Sequence, residues 1–295
     1  MRYKKSIGNK VFDFFNYIFM LGVILLTLYP MFYVLVCSLS DSNSLVGARG
    51  LILFPKGFSV TAYEAVFSNP NIFSGYRVTL FIVVVGTVLS VMATSIGAFL
   101  ITRKDLAIRK ALSYMMVFTM YFSGGMIPTY LLVYKWLHLG DSIWALILPV
   151  MISTYNLLIM KANFEAVPDS LEEAAKIDGA NNILILFKII LPLSLPVIAV
   201  MVLYYGVAYW NSWFTAMMYL RTRSKFPLQL ILREILLSND ATSMGTGGAS
   251  TGDRYLIGES IKYATIVVAT IPILCLYPFI QKYFVKGVMA GAVKG

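Results

Sequence analysis

Six stretches of this chain, at about 14–39, 78–101, 111–133, 143–160, 193–219 and 264–284, are apolar runs whose cores hold no Lys, Arg, Asp or Glu. A helix needs about 20 such residues to cross the hydrocarbon of a bilayer. In lipid, every backbone N–H and C=O must be satisfied within the segment. Six such runs restrict the expected fold to an all-α polytopic membrane protein with six transmembrane helices and both ends on one side. With 59% hydrophobic and 13% charged residues and a mean hydropathy of +0.77, a soluble globular domain is excluded. The expectation is a single transmembrane domain over residues 1–295.

Charge asymmetry predicts which side is which. Arg2, Lys4, Lys5 and Lys10 precede the first run, Arg103, Lys104, Arg109 and Lys110 sit between the second and third, and Lys282, Lys286 and Lys294 end the chain. The short third–fourth connection carries His138 and Asp141, with Lys135 at its border. By the positive-inside rule both termini and the segment 161–191 are cytoplasmic. The net charge of +10 is therefore topological, and the scattered basic residues offer no surface for nucleic acid. The last external loop departs from this pattern, with Arg221, Arg223, Lys225 and Arg233 among its cations. A long loop tolerates such charges, and contact with an acidic protein or an anionic solute is the functional alternative. Cys37 and Cys275 lie in apolar runs and are expected to remain unpaired. The first run is too long for a signal-peptide core and is read as an uncleaved anchor.

Between the fourth and fifth runs lies a polar, helix-prone segment carrying Lys161, Glu165, Asp169, Glu172, Glu173, Lys176, Asp178 and Lys188. At about 2.5–3.5 kcal/mol per charge in mid-bilayer it cannot sit in lipid. Ser170 and Glu173 have the S-x-x-E spacing of a capping box, which predicts a helix from near Leu171. Leu171, Ala174, Ala175 and Asp178 then share a narrow stripe with small residues in its middle, where another protein can approach closely. Gly179 suits the left-handed conformation that ends a helix, and a second helix is expected after Asn181 and Asn182. A cap and a terminator with no partner would account for the same residues.

The full spacing goes further. Glu173-Ala174-Ala175, three residues, Gly179, nine residues, then Ile189, Leu191 and Pro192 resembles the signature of permease subunits of bacterial ABC importers. The stretches 167–172 and 281–287 are similar to the carbohydrate-uptake branch, related to the smaller permease of the maltose system. Within that branch the chain looks most like permeases for complex or acidic oligosaccharides, such as alginate or pectin fragments. The resemblance implies a cytoplasmic coupling helix, with Leu171, Glu172, Glu173, Ala174, Ala175, Asp178 and Gly179 docking into an ATPase subunit. It implies a tail, Gln281, Lys282 and Lys286, that also touches the ATPases. The implied partners are a second homologous permease, two ATPase subunits that bind ATP and Mg, and an extracytoplasmic solute-binding protein. The implied setting is the cytoplasmic membrane of a bacterium, and the implied function is oligosaccharide import by alternating access. An ABC permease for a non-sugar solute, or an ATP-independent carrier or facilitator, is the alternative.

Gly86, Gly97 and the Ser and Thr residues between them suit close packing of the second run against another helix. Ser123-Gly124-Gly125 followed by Pro128 interrupts the third run, where a kink or unwinding is expected. Aromatic faces stack on sugar rings, and amides and hydroxyls bond sugar hydroxyls. Tyr204, Tyr205, Tyr209 and Asn211, with Tyr121 and Asn156, are therefore the candidate substrate path. An interfacial aromatic belt explains the neighbouring 213–219 equally well. The chain has no G-x-x-x-x-G-K-[ST] phosphate loop, so no nucleotidase is expected in it. One histidine and two cysteines offer no metal site, and no cofactor is expected. Apolar runs free of acids argue against proton or sodium coupling, so the driving energy must come from another chain.

Overall fold

The computed structural model describes residues 7–46, 50–244 and 260–275. Among these residues the repeating structure is helical, and the strand-like feature is an isolated antiparallel bridge between Ser40 and Phe58. In chain order the helices are α1 (Ile7–Ser38), α2 (Ser42–Val46), α3 (Thr61–Phe67), α4 (Pro70–Thr102), α5 (Arg109–Tyr121) and α6 (Met126–Leu131), the last continuing as a π-helical turn over Leu132–Trp136. There follow α7 (Trp144–Ile147), α8 (Thr154–Phe164), α9 (Asp169–Ile177) and α10 (Asn182–Ile185), which runs through a π-helical turn, Leu186–Ile190, into α11 (Leu191–Leu193). The remainder are α12 (Leu195–Trp210), α13 (Trp213–Tyr219), α14 (Leu228–Met244) and α15 (Ser260–Cys275). They form two compact units.

One unit takes the described parts of Met1–Asn69 and Glu234–Thr270. Its main element, α1, is apolar over Gly8–Ser38, and the apolar window of that span is wholly exposed, the surface of a helix made to lie in lipid. Packing begins only at its C-terminal end. Val36 and Cys37 are buried there with Ile52, and the Tyr33 ring meets Tyr263 of α15 edge-on at 5.8 Å. The loop after α1 folds back on itself through Asp41 N–H to the Gly57 carbonyl at 2.7 Å. A 2.7 Å bond joins the Ser38 and Tyr63 hydroxyls, and the short helix expected over 61–67 is present.

The second unit takes the described parts of Pro70–Arg233 and Ile271–Gly295. Its core lies where α4 packs against α12 and α8, around Ile82, Ile147, Leu157, Met160 and Met201, all buried. The small residues of α4 permit this approach. A Cβ on Gly86 would sit 2.8 Å from the Tyr209 ring, and one on Gly97 would sit 2.9 Å from Leu157. Ser90 and Thr94, one and two turns along, bond the hydroxyls of Tyr209 and Tyr205 at 2.8 and 2.6 Å.

Straight spans are the exception. α1 and α4 are each long and apolar enough to cross a membrane, whereas the third, fourth and fifth expected spans are each two helices joined at a bend. Arg109–Tyr121 and Met126–Trp136 meet at 115°, turning at Gly125, whose φ of +88° only glycine adopts readily. Trp144–Val150 and Thr154–Phe164 meet at 51°. Asn182–Leu193 and Leu195–Trp210 meet at 86° around Ser194, flanked by Pro192 and Pro196, which lack the N–H a continuous helix requires. Within the fifth expected span, 193–219, α12 covers Leu195–Trp210 and α13 follows beyond a break at Asn211 and Ser212. Its N-terminal arm, 182–193, comes from the expected loop 161–191. α15 is apolar but short, and the rest of the 264–284 run lies outside the described residues.

Candidate functional site

Two places in the second unit have the geometry of functional sites. The first is the elbow formed by α9 and α10. Pro168, with φ −59° and ψ 129°, stands at the N-cap of α9, and no side chain caps the helix. The expected S-x-x-E cap is corrected here. The helix starts at Asp169, so Ser170 is already inside it and cannot accept from the first turn. Asp169 and Glu172 instead place negative charge in the first turn, where the helix dipole favours it.

The C-terminal end is fastened by the backbone. Gly179, at φ +82°, donates to the Lys176 carbonyl at 3.0 Å, and Ala180 N–H donates to the Ala175 carbonyl at 2.9 Å. This pair of bonds is a Schellman termination. α10 then starts from Asn181, whose Oδ1 accepts from Leu184 N–H at 2.8 Å. Ala175, Ala180, Ile189 and Leu191 pack against the core of the unit, so both arms of the elbow rest on the bundle.

Charge fastens the elbow to the end of α4. The Arg103 guanidinium holds the Glu172 carboxylate through both of its terminal nitrogens, Nη2 to Oε1 at 2.6 Å and Nη1 to Oε2. Both side chains are almost buried, 12% and 14% exposed, and the guanidinium lies over the Phe99 ring at 4.1 Å. Beside it Lys104 Nζ meets Asp169 Oδ2 at 2.7 Å in full solvent. The hydrogen bond and charge of Lys104 lower the Asp169 carboxyl below its ordinary value, and Asp169 raises Lys104 in return. With Glu172 and Ala175 turned inward, Leu171, Glu173, Ala174, Ile177 and Asp178 face out, and Ile177 is 87% exposed.

The second place is a cavity of about 380 Å³ between α8, α12 and α13. Asn156, Tyr204, Tyr205, Tyr209 and Asn211 line it, with Ser153, Ser212, Phe214, Thr215, Leu146, Val150 and Ala208. None of these side chains is ionisable at neutral pH. Tyr205 bonds Thr94 and accepts from Ser153 N–H at 3.0 Å, and Tyr209 bonds Ser90. Their hydroxyls cross-link the bundle, leaving rings rather than hydroxyls to the cavity.

The family of binding-protein-dependent transport system inner membrane components matches residues 86–290, which contain the elbow and the cavity. The chain belongs to this family. It is a permease, the non-catalytic membrane component of such a system. It is 45% identical over 292 residues to the polygalacturonan/rhamnogalacturonan transport system permease protein YtcP of Bacillus subtilis, covering 97% of this chain and 99% of that protein. It is 43% identical over 288 residues to the B. subtilis protein LplC, covering 98% and 96%. A crystal structure of a bacterial ABC transporter involved in the import of the acidic polysaccharide alginate contains a chain that superposes with a TM-score of 0.85 at 29% identity. The match covers 95% of this chain and 99% of that one.

Of the docking residues expected from the permease resemblance, the structure exposes Leu171, Glu173, Ala174, Asp178 and Gly179 and turns Glu172 and Ala175 inward. Glu172 is held by Arg103 and so anchors the elbow to the end of α4. Gln281, Lys282 and Lys286 lie outside the described residues. Five of the six expected path residues, Asn156, Tyr204, Tyr205, Tyr209 and Asn211, come together at the cavity. Tyr121 does not: it ends α5, 74% exposed and away from the lining, because the bend after it carries the chain elsewhere.

Two arrangements were missed in the sequence. Arg103 was counted only as a topological charge, although its position directly after an apolar span made it available to the loop. Asp141 was read as one loop acid, yet it holds the connection after the third span to the segment after α13. It accepts from Arg221 and Thr222 N–H, both at 2.9 Å, from Thr222 Oγ1 at 2.6 Å and from Lys225 Nζ at 2.8 Å. Lys225, then the Thr222 and Arg221 donors, hold its carboxyl far below the usual carboxylate range. Arg233 is likewise committed, its guanidinium 4.6 Å above the Trp213 ring.

Proposed function

We propose that this chain is one of two permease subunits of an ATP-driven importer that carries oligosaccharides, acidic ones included, across the cytoplasmic membrane. Family membership, two permeases named or described for acidic polysaccharides, and an aromatic and amide-lined cavity support the cargo class. On this reading the chain has six spans with both termini inside and the α9–α10 elbow is a cytoplasmic coupling helix, which the distribution of Arg and Lys in the sequence supports. The partners are a second permease, two ATPase subunits supplying ATP and Mg chemistry, and an extracytoplasmic binding protein.

The observation that carries the reading is the construction of the elbow. Its outer face, where Leu171, Ala174 and Ile177 lie beside Glu173 and Asp178, is exposed, while its inner face is tied to α4 by an almost buried ion pair and its far arm leads through the Ser194 bend into α12. A push on Leu171, Ala174 or Ile177 is thus delivered to the two helices that form the bundle core. Closure of the ATPases on ATP would move this lever and rock the spans between inward- and outward-open states. Replacing Ala174 with Arg keeps helix propensity and the inner contacts but spoils the outer face. Uptake by proteoliposomes is expected to vanish and the ATPase subunits to dissociate; normal uptake by an intact complex refutes the assignment.

A further inference from the structure

One amide in the lining of the cavity is not engaged by a neighbouring side chain. Asn156 is 6% exposed, and among the described residues its carboxamide has no hydrogen bond, its polar atoms staying open to the cavity they line. Ser212, on the other side of the same cavity, has a buried hydroxyl oxygen without a partner. Buried polar groups are almost always satisfied, so a sealed hydroxyl and an unengaged amide from different elements lining one space indicate a missing partner. An amide offers two donors and an acceptor and a hydroxyl offers one of each, the requirement of a molecule rich in hydroxyl groups.

Charge narrows the class. No lining residue is basic, and a carboxylate brought into an apolar enclosure without a cation is strongly disfavoured. The Tyr205 and Tyr209 rings, with their hydroxyls already engaged, add apolar faces of the kind sugar rings stack on. At about 380 Å³ the space lies toward the small end of ligand sites, which run from roughly 300 to 1,000 Å³.

We propose that this cavity is a subsite for an uncharged, hydroxyl-bearing sugar unit held by Asn156 and Ser212. Any carboxylates of an acidic cargo are paired outside it. The proposal rests on the oligosaccharide reading above and adds to it a division of labour. This chain grips the neutral parts of the passing chain, and cations elsewhere in the assembly accompany the charged ones.

The test uses the nucleotide-free assembled transporter and two probes, trigalacturonate and the same trisaccharide with its carboxyl groups reduced to alcohols. Binding is followed by calorimetry. The neutral probe is expected to bind at least as tightly as the acidic one. Asn156→Ala is expected to weaken the neutral probe by about tenfold, the loss of one or two hydrogen bonds, and the acidic probe, whose every unit carries a carboxylate, by less. The melting temperature of that variant should be unchanged, because the carboxamide has no bond among the described residues to lose. A merely structural Asn156 would lower it. Unchanged binding of the neutral probe by Asn156→Ala shows that water alone fills the space and overturns the subsite. A loss confined to the acidic probe overturns its neutral character. ATP-driven import of pectic fragments by the wild-type complex with its binding protein is measured in parallel. Its absence overturns the oligosaccharide reading and the subsite together, whereas its presence beside a silent Asn156 overturns the subsite alone.

Discussion

Breaking the Arg103–Glu172 pair is expected to loosen the elbow without unfolding the bundle. The perturbation is Glu172→Gln, which keeps the shape of the side chain and removes its charge. The carboxylate receives two short bonds from one guanidinium, and each side chain is only about one-eighth exposed. Hydrogen bonds to charged groups contribute about 1.5–3 kcal/mol each. Removing one member of a fully buried ion pair costs about 3–5 kcal/mol, because the other charge is left uncompensated. Residual exposure and the Phe99 ring beneath the guanidinium shelter the orphaned cation, so the low end applies, about 3 kcal/mol. At 1.36 kcal/mol per tenfold, backbone amides of 171–180 in the assembled transporter should exchange with solvent about 150-fold faster. Arg103→Met with Glu172→Leu, which replaces the pair by apolar groups of similar volume, should restore most of that protection. Uptake per ATP hydrolysed should fall in the single variant and recover in the double. If the single variant exchanges at the wild-type rate, or if the two substitutions add without coupling, the pair does not hold the elbow.

Three further outcomes follow from the geometry. Gly179→Ala meets no atom within 4 Å but must hold a left-handed backbone, so it should destabilise the chain by about 1–2 kcal/mol and Gly179→Asn by less, an order readable from melting temperatures. Gly86→Ala forces a methyl into the Tyr209 ring and should lower stability by about 1–3 kcal/mol, more than Tyr209→Phe, which removes only the hydroxyl's bonds to Ser90 and to the Ile147 carbonyl; a milder Gly86→Ala would show that α4 and α12 can separate freely. The Asp141 carboxyl is held below its ordinary value of 3.8, so its stabilising contribution is complete above that pH and is lost as pH falls further toward its folded value. Thermal melts of the wild type should therefore weaken below about pH 4, while Asp141→Asn should start about 1–3 kcal/mol lower and show a flatter acid limb.

Hydropathy located every apolar run because lipid burial is additive along the chain, but it carried no information on direction. The break at Ser123-Gly124-Gly125 was legible, since successive glycines remove the side chains that hold a helix straight, yet a turn of 115° was beyond any local signal. Pro192 and Pro196 stood in view and were absorbed into a motif and a span, although two missing N–H groups four residues apart mark a bend. Gly179 and Asn181 did what their chemistry required, because a chain reversal and a cap are decided within a few residues. Ser170 did not, because capping depends on which residue begins the helix, and Pro168 moved that start by two positions. The path residues on α12 were found from their aromatic and amide character. The unpartnered Ser212 hydroxyl was not legible, because whether a side chain meets a partner 50 to 120 residues away, as Tyr205 and Tyr209 do, is a property of the folded bundle.

The main-chain termination of α9 has an evolutionary consequence. The bonds from Gly179 and Ala180 that set the angle of the elbow involve no side chain, and its charged anchor lies on the hidden face. Stiffness and recognition are thus written in different atoms. If the elbow docks a motor subunit as proposed, residues at 171, 174 and 177 can be re-tailored for another one while the joint keeps its shape.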